Sequence, residues 1–279
     1  MTPQELDRVV SELKKLSKAI SQEEPPRLSA RKAKTVRDHI TEAYETLRQL
    51  VDRLDPIKDI GVMFDPANPN VVGRIAGIAM VAQPRKSLIS LLEDRFYGSG
   101  VYAIYYSGEF PPYAGIAGRE HPIYVGKADP ANPAGKTARE QGDRLWHRLN
   151  DHRRNIGKAK GTLKLDDFQC RALVVQTGWQ SSAEDYLIHL FKPVWNNQIG
   201  ICYGFGKHGD DPRTRANLRS PWDTLHPGRE WAHRDSSMKD AKPAEQISSE
   251  IATHLAENPT FSTIDEVLRT FLDEMRAVS

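Results

Sequence analysis

Two tyrosines, an arginine, a histidine, a glutamate and an asparagine stand out as candidates for chemistry in this 279-residue chain. Tyr102 follows Gly100-Val101, and Tyr124 precedes Val125-Gly126. Arg148 and His152 are four apart, so on a helix their side chains leave the same face. Glu184 stands three residues after Ser181 at the head of an apolar stretch, and Asn196 lies just beyond that stretch. The segment around Arg148 is strongly basic. Residues 136–164 hold nine Lys/Arg against three Asp/Glu, a balance of +6. A guanidinium is always charged and donates in a planar fork that matches phosphate. Such a block is therefore a candidate phosphate-binding surface, set against the plainer reading of a solvated helix face.

These positions need elements to hold them. Val101 to Tyr106 and Pro122 to Val125 are rich in Val, Ile and Tyr and read as strands. The loop between them is punctuated by Pro111, Pro112, Gly115 and Gly118, so the strands are expected to pair antiparallel. After a Gly/Pro loop over 129–135, the spacing of Leu145, Leu149 and Ile156 predicts one helix from Thr137 to Gly157. A third strand is expected over Phe168 to Thr177, stopped by Gly178. Ser181-x-x-Glu184 reads as a capping box opening a helix from Ala183 to Phe191.

This β-β-α-β-α order resembles the GIY-YIG nuclease family, with Val101 and Val125 where the family name has isoleucine. The resemblance covers residues 100–200, and their flanks more loosely. It implies an arginine on the helix after the second tyrosine strand; Arg148 is chosen and Arg144 competes. The R-x-x-x-H spacing of Arg148 and His152 resembles the family's restriction endonucleases. A glutamate early in the next helix is the family's metal ligand. Glu184 is the matching position, and Asp185 beside it points elsewhere. An asparagine after that helix matches Asn196, with Asn197 as the alternative.

The implied chemistry is phosphodiester hydrolysis. The anionic ester repels a hydroxide-like nucleophile until its charge is neutralised, and a hard divalent cation on one carboxylate suits that task. The resemblance thus implies Mg2+, or Mn2+ in its place, on Glu184. Arg148 would brace the scissile phosphate. A tyrosine hydroxyl, with a pKa of about 10, is a poor base unless nearby cations favour its phenolate. Tyr102 is expected as general base or water-orienting residue, with His152 relaying the proton. Tyr124 would position phosphate or water, and Asn196 would hold phosphate or neighbouring side chains. DNA contacts are expected from Lys127, Arg144, Arg153, Arg213, Arg215 and Arg219.

The remaining chain frames this core. Thr2-Pro3-x-Glu5 reads as a capped helix start, and a second helix is expected from Ser29 after the Pro25-Pro26 break. Leu6, Val9/Val10, Leu13, Leu16 and Ile20 recur along the first helix, and the second is expected to bury Val36, Ile40, Leu47, Leu50/Val51 and Leu54. Short helices are expected over Val72–Ala82 and Leu88–Leu92. Residues 200–234 form a Gly-rich basic run with Lys207, Arg213, Arg215, Arg219, Arg229 and Arg234, in which Trp222 and Leu225 are worth burying. Residues 235–279 hold four Lys/Arg against nine Asp/Glu, a balance of −5, and read as a packing or interaction appendage.

The expected class is α+β, a small antiparallel three-stranded sheet flanked by helices. The expected divisions are a helical hairpin arm over 1–55, connecting helices over 56–99, a catalytic and DNA-binding domain over 100–235, and a helical appendage over 236–279. Two cysteines without C-x-x-C spacing argue against a disulfide framework or cysteine zinc site and fit the cytoplasm. The opening residues do not read as a signal peptide, and no apolar run is long enough for a membrane. The resemblance implies a type II restriction endonuclease cutting double-stranded DNA at a palindromic GC-rich site of the CCGCGG kind. A palindrome implies a two-fold homodimer, and a restriction role implies a cognate DNA methyltransferase. The competitors are a homing or repair nuclease of the same fold, a non-cleaving DNA-binding module, and an interaction protein built on the helical arms.

Overall fold

The computed structural model describes residues 1–22, 24, 26–57, 65–206, 218–233 and 238–277. The chain divides into two units, Met1–Gly61 and Val62–Ser279. In the first, α1 (Pro3–Gln22) opens with the expected box: Glu5 N–H donates to Thr2 Oγ1, and Thr2 N–H to the Glu5 carboxylate. Ser29 caps α2 (Ala30–Leu54) by accepting from the Lys32 amide. Neither helix buries a residue fully. Of the residues expected on the apolar faces, Leu6, Val9, Leu13, Leu47 and Leu50 are half-buried, and Leu16, Ile20, Val36, Ile40, Val51 and Leu54 are exposed. Periodicity marks an apolar face without saying what covers it.

The second unit is built on a four-stranded antiparallel sheet. Its strands are β1 (Lys86–Ser87), β2 (Gly100–Tyr106), β3 (Tyr124–Ala128) and β4 (Phe168–Val174), in the order β1-β4-β2-β3. The expected three strands are all present. The fourth, β1, is two residues long and is made by tertiary pairing of Lys86 with Cys170 and Ser87 with Gln169, so no local pattern announces it. The helix expected over Leu88–Leu92 shrinks to a single 3-10 turn, Ser90–Leu92.

β2 is central and buried along its whole length, and its period-2 alternation feeds two cores. Val101, Ala103 and Tyr105 pack with α3 (Pro69–Val81) and with Phe261. Tyr102, Ile104 and Tyr106 point to the opposite face.

The helix expected over Thr137–Gly157 is two helices, α4 (Ala138–Gln141) and α5 (Arg144–Lys158). Gly142, at φ 77°, closes α4 in a conformation that favours glycine. The break is tied to the sheet: Gly98 donates to the Gly142 carbonyl at 2.6 Å and accepts from the Leu145 amide at 3.0 Å. Leu145, Leu149 and Ile156 of α5 then cover the Tyr102 face as their spacing predicts.

α6 (Gln180–Phe191) begins earlier than expected and has no side-chain cap. Ser181 and Glu184 therefore make no capping box. Ser181 Oγ accepts from Lys127 Nζ at 2.7 Å instead. Two short helices follow, α7 (Pro221–Leu225) and α8 (Glu230–His233), with Trp222 and Leu225 buried. The acidic C-terminal part folds into α9 (Ala244–Glu257) and α10 (Ile264–Ala277). Ile247 and Ile251 of α9 join the Tyr102-side core, and Val267 and Phe271 of α10 join the opposite one.

Candidate active site

The two motif glycines bring the tyrosines together. Tyr102 pairs across the sheet with Gly126, and Ile104 with Tyr124, so both tyrosines lie on one face, ring centroids 6.1 Å apart. A side chain at Gly126 would collide with the Tyr102 hydroxyl, and one at Gly100 with the Leu173 carbonyl. Glycine is required at both places by close approach.

α5 lies over this face. Its His152 is buried, and Nε2 shares a 2.7 Å hydrogen bond with the Tyr102 hydroxyl. Arg148, one turn earlier, lies against both tyrosines. Tyr124 and Arg148 form a ridge between two concavities. The first, of about 410 Å³, is also lined by Lys127, Asp129, Arg144, His147, Asp151 and Glu184. The second, of about 550 Å³, is lined by Asn197, Tyr203, Gly204, Gly206 and Leu218 among others.

Glu184 projects from α6 into the first concavity, 3.7 Å from Lys127 Nζ. Burial pushes its carboxyl above the usual carboxylate range; Lys127 opposes that shift, and Asp185 adds to it. A desolvated carboxylate of this kind gains from a cation. Among the described residues, no group of three or more His, Cys, Asp or Glu is arranged as a metal cage. The donor set fits a hard cation such as magnesium, which uses one or two carboxylates and leaves the rest of its shell to water and phosphate.

Burial pushes the Tyr102 phenol well above its ordinary value, and Tyr124 adds to this, while Arg148 opposes it. The Tyr124 phenol is raised by burial as well, against the pull of Arg148. Tyr102 is fully buried and Tyr124 partly open, so Tyr124 faces the concavities and Tyr102 stands behind it. This burial works against a Tyr102 phenolate, the form that nearby cations would favour.

Asn196 is at the site but does not reach out from it. Its Oδ1 accepts from the Val125 amide at 3.0 Å, and its Nδ2 donates to the Val125 carbonyl at 2.8 Å. The side chain thus acts as one rung of a further strand on the free edge of β3. Both halves of its amide are engaged with backbone, where a contact with phosphate or neighbouring side chains was expected. Asn197 accepts from the Gly204 amide and lines the second concavity.

The basic residues divide. Lys127 and Arg144 line the first concavity. Arg153 bonds Asn150 within α5 and lines neither concavity. Arg219, expected at DNA, is turned into the chain, bonded to Asp240 Oδ1 at 2.7 Å and to the Ala232 carbonyl at 3.0 Å. Arg229 is wholly buried. Arg213 and Arg215, with Lys207 and Arg234, lie outside the described residues. Sequence reasoning missed Asp129, His147 and Asp151 of the first concavity, and Phe205, whose ring meets Tyr124 edge-on and stacks on His152. A glycine on each side of Phe205 was the one local sign that this aromatic does something special.

A family model described as the Eco29kI GIY-YIG domain matches residues 94–255, more than half of the chain. The chain belongs to the Eco29kI GIY-YIG domain family. Membership makes it a nuclease of the restriction endonuclease kind, a hydrolase acting on DNA. The match extends past the 100–200 core to the end of the α7–α8 region and most of α9, so the GIY-YIG domain here includes the segment that carries Phe205, Asp223 and Arg229. No curated protein matches the chain. Among the described residues, no helix is long and apolar enough to cross a membrane.

Proposed function

We propose that this chain is a site-specific type II restriction endonuclease that cuts double-stranded DNA at a palindromic, GC-rich site of the CCGCGG kind. It would act as a homodimer in the cytoplasm, with one divalent cation per active site and a cognate methyltransferase protecting the host DNA. The observation that carries the catalytic part is the Tyr102–His152 hydrogen bond behind a ridge of Tyr124 and Arg148, with Glu184 across the same concavity.

The scissile phosphate lies along the ridge. Arg148 donates to its non-bridging oxygens and meets the charge that grows there. Magnesium, or manganese in its place, held by Glu184 would neutralise phosphate charge and favour ionisation of the attacking water. Lys127 supplies a further positive charge beside Glu184. Tyr124 orients the water against phosphorus. As the new oxygen–phosphorus bond forms and the ester oxygen leaves, taking a proton from solvent, the water's proton passes to the Tyr124 hydroxyl, whose own proton moves inward to Tyr102. Tyr102 passes its own hydroxyl proton to His152 Nε2. Each tyrosine gains one proton and loses one, so no phenolate need stand at rest. Asn196 keeps β3, and with it Tyr124, in register.

Digestion of a sequenced plasmid by wild type and Glu184→Ala, with magnesium and with chelator, tests this reading. Discrete fragments from wild type with metal alone are expected, and their mapped ends give the site and stagger. Equal patterns from both proteins would remove Glu184 as ligand. No cutting of unmethylated DNA of varied sequence would overturn the nuclease assignment.

A further inference from the structure

Beyond the six residues above, the structure holds an aromatic lid over His152. Phe205 stacks on the imidazole with centroids 4.4 Å apart and planes 18° from parallel. It also meets Tyr124 edge-on at 5.1 Å and packs on Trp195 at 4.6 Å and Trp222 at 5.4 Å. The ring is wholly buried, and the described residues 201–206 around it form only turns and bends.

What holds the loop is a buried ion pair. Arg229 donates through Nε to Asp223 Oδ1 at 2.6 Å and through Nη2 to Oδ2 at 2.7 Å. The same guanidinium donates to the carbonyls of Gly204 at 2.9 Å and Phe205 at 3.0 Å. Ser220 Oγ donates to Asp223 Oδ2 at 2.6 Å, and Arg229 lies over the Trp222 ring at 4.5 Å. Asp223 and Arg229 are almost entirely shielded from water, where breaking a pair by removing one partner leaves a costly bare charge. Gly204 stands at φ 98°, and a side chain there would collide with Ser220, so the backbone approaches closely.

We propose that Phe205, fixed by the Asp223–Arg229 pair, is a positioning residue for His152. This rests on the relay role of His152 stated above. The phenyl face sets the plane of the imidazole so that Nε2 meets the Tyr102 hydroxyl. When His152 takes the proton, the resulting imidazolium lies against the negative face of the ring, an interaction that gains strength away from water.

The test is a double-variant cycle on Phe205→Leu and His152→Ala, read as single-turnover cleavage at saturating DNA, with melting temperature and DNA affinity measured beside it. Phe205→Leu is expected to slow cleavage about tenfold with DNA affinity unchanged. In the His152→Ala background the same change is expected to cost nothing further. Losses that multiply in the double variant would overturn the inference and leave the relay standing. A wild-type rate in His152→Ala would overturn the relay and, with it, this inference. If Phe205→Leu fails to fold, Phe205→Met, closer in volume and lacking the ring, replaces it in the same cycle.

Discussion

The Tyr102 hydroxyl lies 2.7 Å from His152 Nε2, with both side chains shielded from solvent behind Tyr124. A buried phenol in that position has an imidazole nitrogen beside it to receive its proton. Tyr102→Phe keeps the ring and removes the relay. It is expected to slow single-turnover cleavage by about a hundredfold or more while DNA affinity is held. Near-full turnover in that variant would exclude Tyr102 from the proton path.

Glu184→Gln separates catalysis from stability. Cleavage is expected to fall about 10²–10³-fold with the loss of the cation's ligand. The metal-free protein is expected to melt higher. Burial raises the Glu184 carboxyl in the folded chain. Below the ordinary carboxylate range the group is protonated in both states and costs nothing. As pH climbs from that range to the raised folded value, the unfolded chain releases its proton first and stability falls. Melting temperature against pH in chelator should show that fall in wild type and lose it in Glu184→Gln.

Asn196→Ala strips both hydrogen bonds from the Val125 backbone at the edge of β3. Two buried polar groups left unsatisfied cost about 2 kcal/mol or more. Denaturant unfolding should show this loss. A stable variant that binds DNA poorly would instead return Asn196 to the phosphate.

Arg144 and Arg219 make opposite predictions. Arg144 lines the concavity and is exposed, so Arg144→Ala should lower the slope of log affinity against log salt by about one. Arg219 is engaged with Asp240 and the Ala232 carbonyl, so Arg219→Ala should reduce stability and leave the salt slope alone. DNA binding measured from low to high salt, with melting temperatures, checks both.

Local chemistry made much of the site legible before any coordinate. Valine- and tyrosine-rich runs next to glycine marked β2 and β3, four-residue spacing put Arg148 and His152 on one face, and apolar periodicity placed α5. These depend on neighbours within one or two turns, which a sequence displays directly. The tertiary structure alone decided how distant segments answer one another. Pairing with β4 made a strand of Lys86 and Ser87. Contact with Gly98 fixed the break between α4 and α5 at Gly142. The free edge of β3 claimed the Asn196 amide. Asp223 and Asp240 drew inward two arginines whose local setting looked suited to DNA. Phe205 came to rest on His152 through an ion pair that no spacing rule encodes. Periodicity and propensity report the faces of an element, whereas the partner of a buried polar or aromatic group is chosen by packing across the whole chain.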